Sequence, residues 1–237
     1  MRIDCVWEHN GSDTLLYADM LPGAFTRGAS YEEAANKMPA EVRSWLQWRG
    51  QMPAETIELN IVQEKASDLM IRDADSDVIF ESERKPLTQA EYEAMKSLVL
   101  RSAEDFQRLY DSILRKDETD LPLRSTFYSN IPRTAREMYE HTKSVNAYYF
   151  TEIDVEANTQ GSIVECRKRG FEALEQKTDY LENTVFDGSY GEEWSLRKLM
   201  RRFIWHDRIH AKAMYRQAVR MYGKKAVPDP FYFRDIV

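Results

Sequence analysis

The chain has 237 residues, of which 43% are hydrophobic and 12% aromatic, so it is long and apolar enough to bury a substantial core. Its formal net charge of −7 argues against an extended nucleic-acid footprint, which requires a basic surface to replace counterions. We therefore do not expect nucleic acid as a partner. The basic pairs at 197–198 and 201–202 are interpreted as the solvated face of a helix.

Only two cysteines occur, Cys5 and Cys166, and they are far apart in the sequence. They form neither a disulfide framework nor a thiolate zinc site, and this usage is typical of a reducing compartment. The first residues lack the apolar core of a signal peptide, and charged residues interrupt every apolar stretch before it reaches the length of a membrane span. The sequence thus predicts a cytoplasmic protein without a membrane segment.

The N-terminal part, residues 1–83, predicts a small α/β domain. Strands are expected over residues 2–7, 14–20, 56–63 and 78–81, with a turn-rich connection between the first two. Ser30 is a candidate N-cap with Glu33 three residues later, which is the spacing of a capping box, so we expect a helix over residues 31–48. Gly50 and Pro53 mark the end of that helix.

The C-terminal part, residues 86–237, predicts a four-helix bundle followed by an extended tail. Thr88 and Glu91 repeat the capping-box spacing, and apolar residues then recur at alternating intervals of four and three along the first helix of the bundle. Further helices are expected over residues 132–155, 162–181 and 194–222, and Gly223 stops the last of them. The predicted fold class is therefore α+β with two domains.

Three of the four histidines lie on the inward faces of predicted helices. His206 and His210 continue the apolar stripe of the last helix, and their spacing of four places both imidazoles on one face. His141 lies on the inward face of the second helix of the bundle. Three buried imidazoles without partners would be costly, whereas one divalent ion uses all three lone pairs. A core of histidines that their neighbours satisfy, with no ion, is the alternative interpretation.

A metal ion held by three histidines, with coordination positions left open, is typical of a catalytic rather than a structural site. Zinc, nickel, iron and manganese are all compatible with imidazole ligands, so the identity of the divalent metal ion stays open. Asp207 and Glu140 are neighbours of ligands in sequence but lie about 100° around their helices, so we expect them to be solvated or to support a ligand. No general base is identifiable. The fourth histidine, His9, falls in the predicted hairpin turn and is expected to be exposed.

At these residues the chain resembles the DinB-like superfamily of metal-binding four-helix bundles, which includes YfiT-type hydrolases and bacterial thiol S-transferases. The resemblance covers about residues 86–225 and is carried by the segments 134–141 (TAREMYEH), 148–149 (YY) and 205–210 (WHDRIH). It implies one metal-binding histidine on the second helix of the bundle, His141, and two on the last, His206 and His210. Many members continue with Gly-Gln after the last histidine, whereas this chain has residues 211–213 (AKA), so no substrate is carried over.

The segment 17–34 (YADMLPGAFTRGASYEEA) is similar to a HicB-like domain, the small α/β module of certain toxin–antitoxin systems. The similarity covers about 80 residues, and the predicted bundle follows directly where HicB antitoxins usually carry a DNA-binding segment.

Two functions of different classes are consistent with these resemblances. The first is a metal-dependent enzyme, either a hydrolase or a small-thiol S-transferase, that acts on a small-molecule substrate. Its cleft is expected at one end of the bundle, partly covered by the N-terminal domain, with Trp205, Tyr148 and Tyr149 as candidate lining residues. The second is a non-catalytic binding or regulatory protein whose HicB-like module recognises a partner. A homodimer is compatible with both.

Overall fold

The computed structural model describes residues 1–53, 55–126 and 130–236, and within them it shows an α+β fold with five α-helices and a mixed four-stranded sheet. The sheet has the order β3-β2-β1-β4, and its strands are β1 (Arg2–His9), β2 (Thr14–Ala18), β3 (Phe25–Gly28) and β4 (Glu58–Ala66). β1 pairs antiparallel with β2 and parallel with β4, and β2 pairs antiparallel with β3. Helix α1 (Tyr31–Trp48) connects β3 to β4, which gives the parallel pair its crossover.

Two features of the sheet differ from the sequence prediction. β3 was not expected, because a turn at 21–23 separates it from β2 and the strand itself has only four residues. Its Thr26 Oγ1 donates a hydrogen bond to the carbonyl of Ala34, which ties the strand to α1. The predicted strand at 78–81 is wrong: this segment leads into a 3₁₀ helix, Glu81–Arg84, and the Glu83 carboxylate accepts a hydrogen bond from the Phe80 amide.

The helices of the C-terminal part pack against one another as the apolar periodicity predicts. The N-caps Ser30 and Thr88 are confirmed, since each side chain accepts a hydrogen bond from the amide three residues later. The second and third helices of the bundle are shorter than predicted, because Thr134 caps one of them and the other ends at Leu174. A short hairpin, β5 (Phe186–Asp187) and β6 (Glu193–Trp194), precedes the last helix. The four bundle helices are α2 (Gln89–Asp111), α3 (Ala135–Thr151), α4 (Ile163–Leu174) and α5 (Leu196–Tyr222).

The basic residues at the start of α5 are largely buried, so their interpretation as a solvated face was wrong. Lys198 is fully buried, and its Nζ donates hydrogen bonds to the carbonyls of Asp77 and Glu193 at 2.8 and 2.6 Å. Arg201 is also buried and forms an ion pair with Glu83 at 2.5 Å. These partners belong to the segment that joins the sheet to α2 and to the hairpin before α5. The charges therefore fasten α5 to the neighbouring chain segments instead of facing water.

Helix α5 contacts the sheet as well as the bundle. Trp205 projects from α5 into an apolar cluster, with ring centroids 6.0 Å from Tyr17 and 5.9 Å from Phe25. On the other side of the sheet, Trp48 of α1 donates a hydrogen bond to Asp105 of α2 at 2.7 Å. The sheet and the bundle thus share apolar contacts, and the middle of α5 lies along the boundary between them. No helix in the described part of the chain has both the length and the apolar character needed to cross a membrane.

Candidate metal centre

The three predicted histidines come together between α3 and α5. The Nε2 atoms of His141 and His210 each lie 3.2 Å from Nε2 of His206. All three histidines lie near the middle of their helices, so the site is not at one end of the bundle, as the sequence had suggested. Both helices are held in place at their starts by side-chain caps, Thr134 for α3 and Ser195 for α5.

Two of the three distances between the nitrogens fit a shared metal ion, and all three ligand atoms lie within 4.8 Å of one another. Two nitrogens bound to one tetrahedral ion at about 2.0–2.1 Å lie about 3.3–3.4 Å apart. Hydrogen bonding explains the cluster less well. The Nε2 atom of a neutral imidazole carries either one hydrogen or one lone pair. Nε2 of His206 therefore cannot donate a hydrogen bond to one of the other two histidines and accept one from the other. A cation at the point where the lone pairs meet satisfies all three nitrogens.

Burial keeps these imidazoles neutral, which is the form that binds metal. The pKa of His206 lies well below its ordinary value because of burial, reinforced by His210 and His141. Burial and then the charge of His141 lower the pKa of His210 to about 3. Burial alone lowers the pKa of His141. The cluster therefore presents three free lone pairs near neutral pH.

A metal ion held by the three histidines would have room for further ligands. Among the described residues, no aspartate, glutamate or cysteine joins the group of His141, His206 and His210. The other ring nitrogen of His206, Nδ1, is buried, and no described residue forms a hydrogen bond with it. A ligating histidine usually donates this N–H to an acceptor that orients the ring. Here the Tyr149 ring packs edge-on against His206 at 6.1 Å between centroids, so packing supplies the orientation.

The neighbours of the ligands in sequence do not take part in the site. Asp207 is fully buried, not solvated, and forms a bidentate ion pair with Arg167 at 2.7 and 3.0 Å. It also accepts a hydrogen bond from Ser102 at 2.6 Å. Glu140 is exposed and pairs with Lys143 at 2.6 Å. Asp207 thus anchors α5 to α4 and α2, and Glu140 remains on the surface.

The histidines face a cavity of about 1200 Å³. The expected lining residues Trp205, Tyr148 and Tyr149 all border it. Residues of the N-terminal part, among them Phe25 of β3 and the segment 69–77, also line the cavity, which agrees with the expected partial covering by that part. The imidazoles are therefore accessible to a molecule bound in this cavity.

His9 is not part of the site. It is the last residue of β1, whereas the sequence predicted it in the hairpin turn. Its side chain is half-buried, whereas it was expected to be exposed. Its ring stacks on Trp7 with 4.4 Å between centroids, and Nε2 lies 3.0 Å from a Glu64 carboxylate oxygen.

Sequence reasoning missed Arg202 as a residue of the cavity wall. It lies one turn before His206, its Nη1 donates a hydrogen bond to the Ser76 carbonyl at 2.9 Å, and its guanidinium lies 4.6 Å from the centroid of the Trp205 ring. The signal was the spacing of four between Arg202 and His206, which places both side chains on one helix face. The sequence analysis did not use this spacing, because it interpreted the basic pair at 201–202 as part of a solvated helix face.

Comparison with models of known protein families, with curated proteins and with solved structures finds no match to this chain.

Proposed function

We propose that this chain is a metal-dependent enzyme of the DinB-like kind, either a hydrolase or a small-thiol S-transferase, with a divalent ion held by His141, His206 and His210. The convergence of three neutral Nε2 atoms on the wall of a large cavity carries the proposal. An ion with a structural role is usually enclosed by four protein ligands. The lack of a fourth ligand among the described residues, together with the adjoining cavity, supports a site that binds a substrate.

A divalent ion bound by three imidazoles supplies Lewis acidity, which lowers the pKa of a water or thiol ligand. The chain contributes the surroundings. Tyr149 and Trp205 border the histidines and exclude bulk water, which strengthens electrostatic interactions inside the cavity. Arg202 places a permanent positive charge one turn from His206, where it can stabilise negative charge on a bound molecule.

In this proposal the N-terminal part is a HicB-like module that forms the second wall of the cavity. Phe25, on β3, lines the same cavity as the histidines. Trp205 reaches into the apolar cluster beneath that wall, so the two parts are packed together next to the site. The module therefore closes the site on the side that the bundle leaves open.

Elemental analysis of protein purified without an affinity tag or a chelator tests the metal site. We expect about one transition-metal ion per chain in the wild type and none in a His206→Ala/His210→Ala variant. His9→Ala is the matched control, because it removes the one histidine outside the cluster and should leave the metal content unchanged. A metal-loaded wild type would then be screened for amide hydrolysis and thiol transfer.

A wild type that contains no metal, and takes up none when zinc, nickel or manganese is added, would refute the proposed enzyme. That result would favour the alternative function, a non-catalytic binding or regulatory protein whose HicB-like module recognises a partner. Equal metal content in the wild type and the double variant would place the ion elsewhere in the chain.

A further inference from the structure

Three arginines from separate segments line the cavity together. Arg27 lies on β3, Arg124 lies between α2 and α3, and Arg216 lies on α5. Burial, followed by the positive charges of Arg216 and Arg124, lowers the pKa of Arg27. The Arg27 guanidinium is therefore close enough to the other two to be repelled by both, and a cluster of this kind is unfavourable without a compensating anion.

The described part of the chain compensates only part of this charge. Arg124 forms an ion pair with Asp73 at 2.6 Å, whereas Arg27 donates only to a backbone carbonyl, that of Arg72, at 2.9 Å. Arg216 makes no hydrogen bond or ion pair with any other described residue. Its pKa is lowered by burial and by Arg220. Among the described residues, the guanidinium groups of Arg27 and Arg216 thus have no carboxylate in an ion pair with them.

The buried carboxylate of Glu41, which also lines the cavity, does not supply that partner. Glu41 raises the pKa of Arg216, but this effect is smaller than the lowering by burial and by Arg220. The two oxygens of Glu41 are already taken by Arg208 and Lys212, each at 2.8 Å. An anion from outside the chain can therefore complete the arginine cluster without displacing an existing ion pair.

The arginine cluster lies at a defined distance from the histidines. Arg216 follows His210 by six residues, which is about 9 Å along the axis of α5. Between them on the same helix, Lys212 and Ala213 line the cavity, and the Lys212 ammonium is paired with Glu41 at 2.8 Å. The cavity thus offers ligand nitrogens at one position and, further along α5, the guanidinium groups of Arg27 and Arg216, which form no ion pair with a carboxylate of the described residues.

We propose that Arg27, Arg124 and Arg216 form an anion subsite that holds a phosphate or carboxylate group at the far end of the substrate. The guanidinium fork binds the oxygens of both groups in pairs. A phosphate monoester carries about −1.5 to −2 charges at neutral pH and matches two uncompensated arginines. The link to a substrate rests on the proposed function, whereas the anion subsite itself does not require a metal.

The test measures how inorganic phosphate and acetate change the thermal unfolding midpoint at constant ionic strength, with chloride as the balancing anion. Both metal-free and zinc-loaded protein are used, so that binding to the metal is separated from binding to the arginines. The variants are Arg27→Gln and Arg216→Gln. Arg220→Gln is the matched control, because Arg220 lies one turn beyond Arg216 and is already paired with Asp120 at 2.8 Å.

We expect phosphate at tens of millimolar to stabilise the metal-free wild type and the Arg220→Gln variant, with an affinity at least about tenfold weaker in Arg27→Gln and Arg216→Gln. An arginine-dependent shift with acetate but not with phosphate would also support the subsite and would assign a carboxylate to it. Equal shifts in all four proteins, or no shift in any of them, would overturn it.

The outcomes also separate this inference from the proposed function. Metal uptake without an arginine-dependent anion effect leaves the enzyme proposal standing and refutes the subsite. An arginine-dependent anion effect in a protein that binds no metal supports the subsite and refutes the enzyme proposal.

Discussion

The buried ion pair between Arg167 and Asp207 allows a sharp test of how the bundle is held together. Both side chains are fully buried, and they join α4 to α5 through two hydrogen bonds of 2.7 and 3.0 Å. Ser102 of α2 donates a third hydrogen bond to the same carboxylate, and Asn146 of α3 accepts one from Arg167. All four bundle helices thus meet in one polar network.

We predict that Arg167→Met lowers the free energy of unfolding by about 3–5 kcal/mol, because it leaves the Asp207 carboxylate buried with Ser102 as its remaining side-chain donor. The double variant Arg167→Met/Asp207→Leu should lose less than the sum of the two single losses, because it removes both charges and replaces them with apolar groups of similar size. Urea unfolding followed by circular dichroism measures each value.

Lys168→Met is the control, since Lys168 neighbours Arg167 on α4 but is exposed, and it should change stability by no more than about 0.5 kcal/mol. A loss below about 1 kcal/mol for Arg167→Met would show that the carboxylate is solvated or protonated in the folded protein. Strict additivity of the two single losses would show that the two charges are not coupled. Either result would refute the reasoning.

Three further predictions concern packing, capping and thiol chemistry. A Cβ at Gly170 of α4 would lie 2.0 Å from Phe150 of α3, so Gly170→Ala should cost about 1–3 kcal/mol in unfolding experiments, and a neutral result would mean that the helices can move apart. The buried Ser195 hydroxyl caps α5 by accepting from the Lys198 amide, and it donates to the Glu83 carbonyl at 2.8 Å, so Ser195→Ala should lower stability by about 0.5–2 kcal/mol. Ser195→Thr keeps the hydroxyl for both bonds and should recover part of this loss, and no recovery would mean that these bonds contribute nothing. Burial raises the pKa of the Cys5 thiol from 9.0 to about 12, so its contribution to stability is present below pH 9 and is lost as the pH rises towards 12. At pH 8 the neutral thiol should react with iodoacetamide far more slowly in the native protein than in urea, and equal labelling by mass spectrometry would contradict its burial.

Local sequence signals predicted the elements that depend on local interactions. The serine and threonine caps, with glutamates three residues later, correctly placed the starts of α1 and α2. The spacing of four between His206 and His210 predicted a shared face, and the periodicity of α3 added His141 to it. These predictions hold because a helix places residues three or four positions apart next to one another, whatever the rest of the chain does.

Long-range contacts decided what the sequence left open. The four-residue strand β3 gains its stability from pairing with β2 and from α1, which no local pattern contains. The basic residues Lys198 and Arg201 look like a solvated face, yet they are buried because carbonyls and carboxylates from distant segments surround them. Only the tertiary structure brings Arg27, Arg124 and Arg216 to one cavity. The burial of a charge depends on partners far away in the chain, and the tertiary packing determines which of them come within reach.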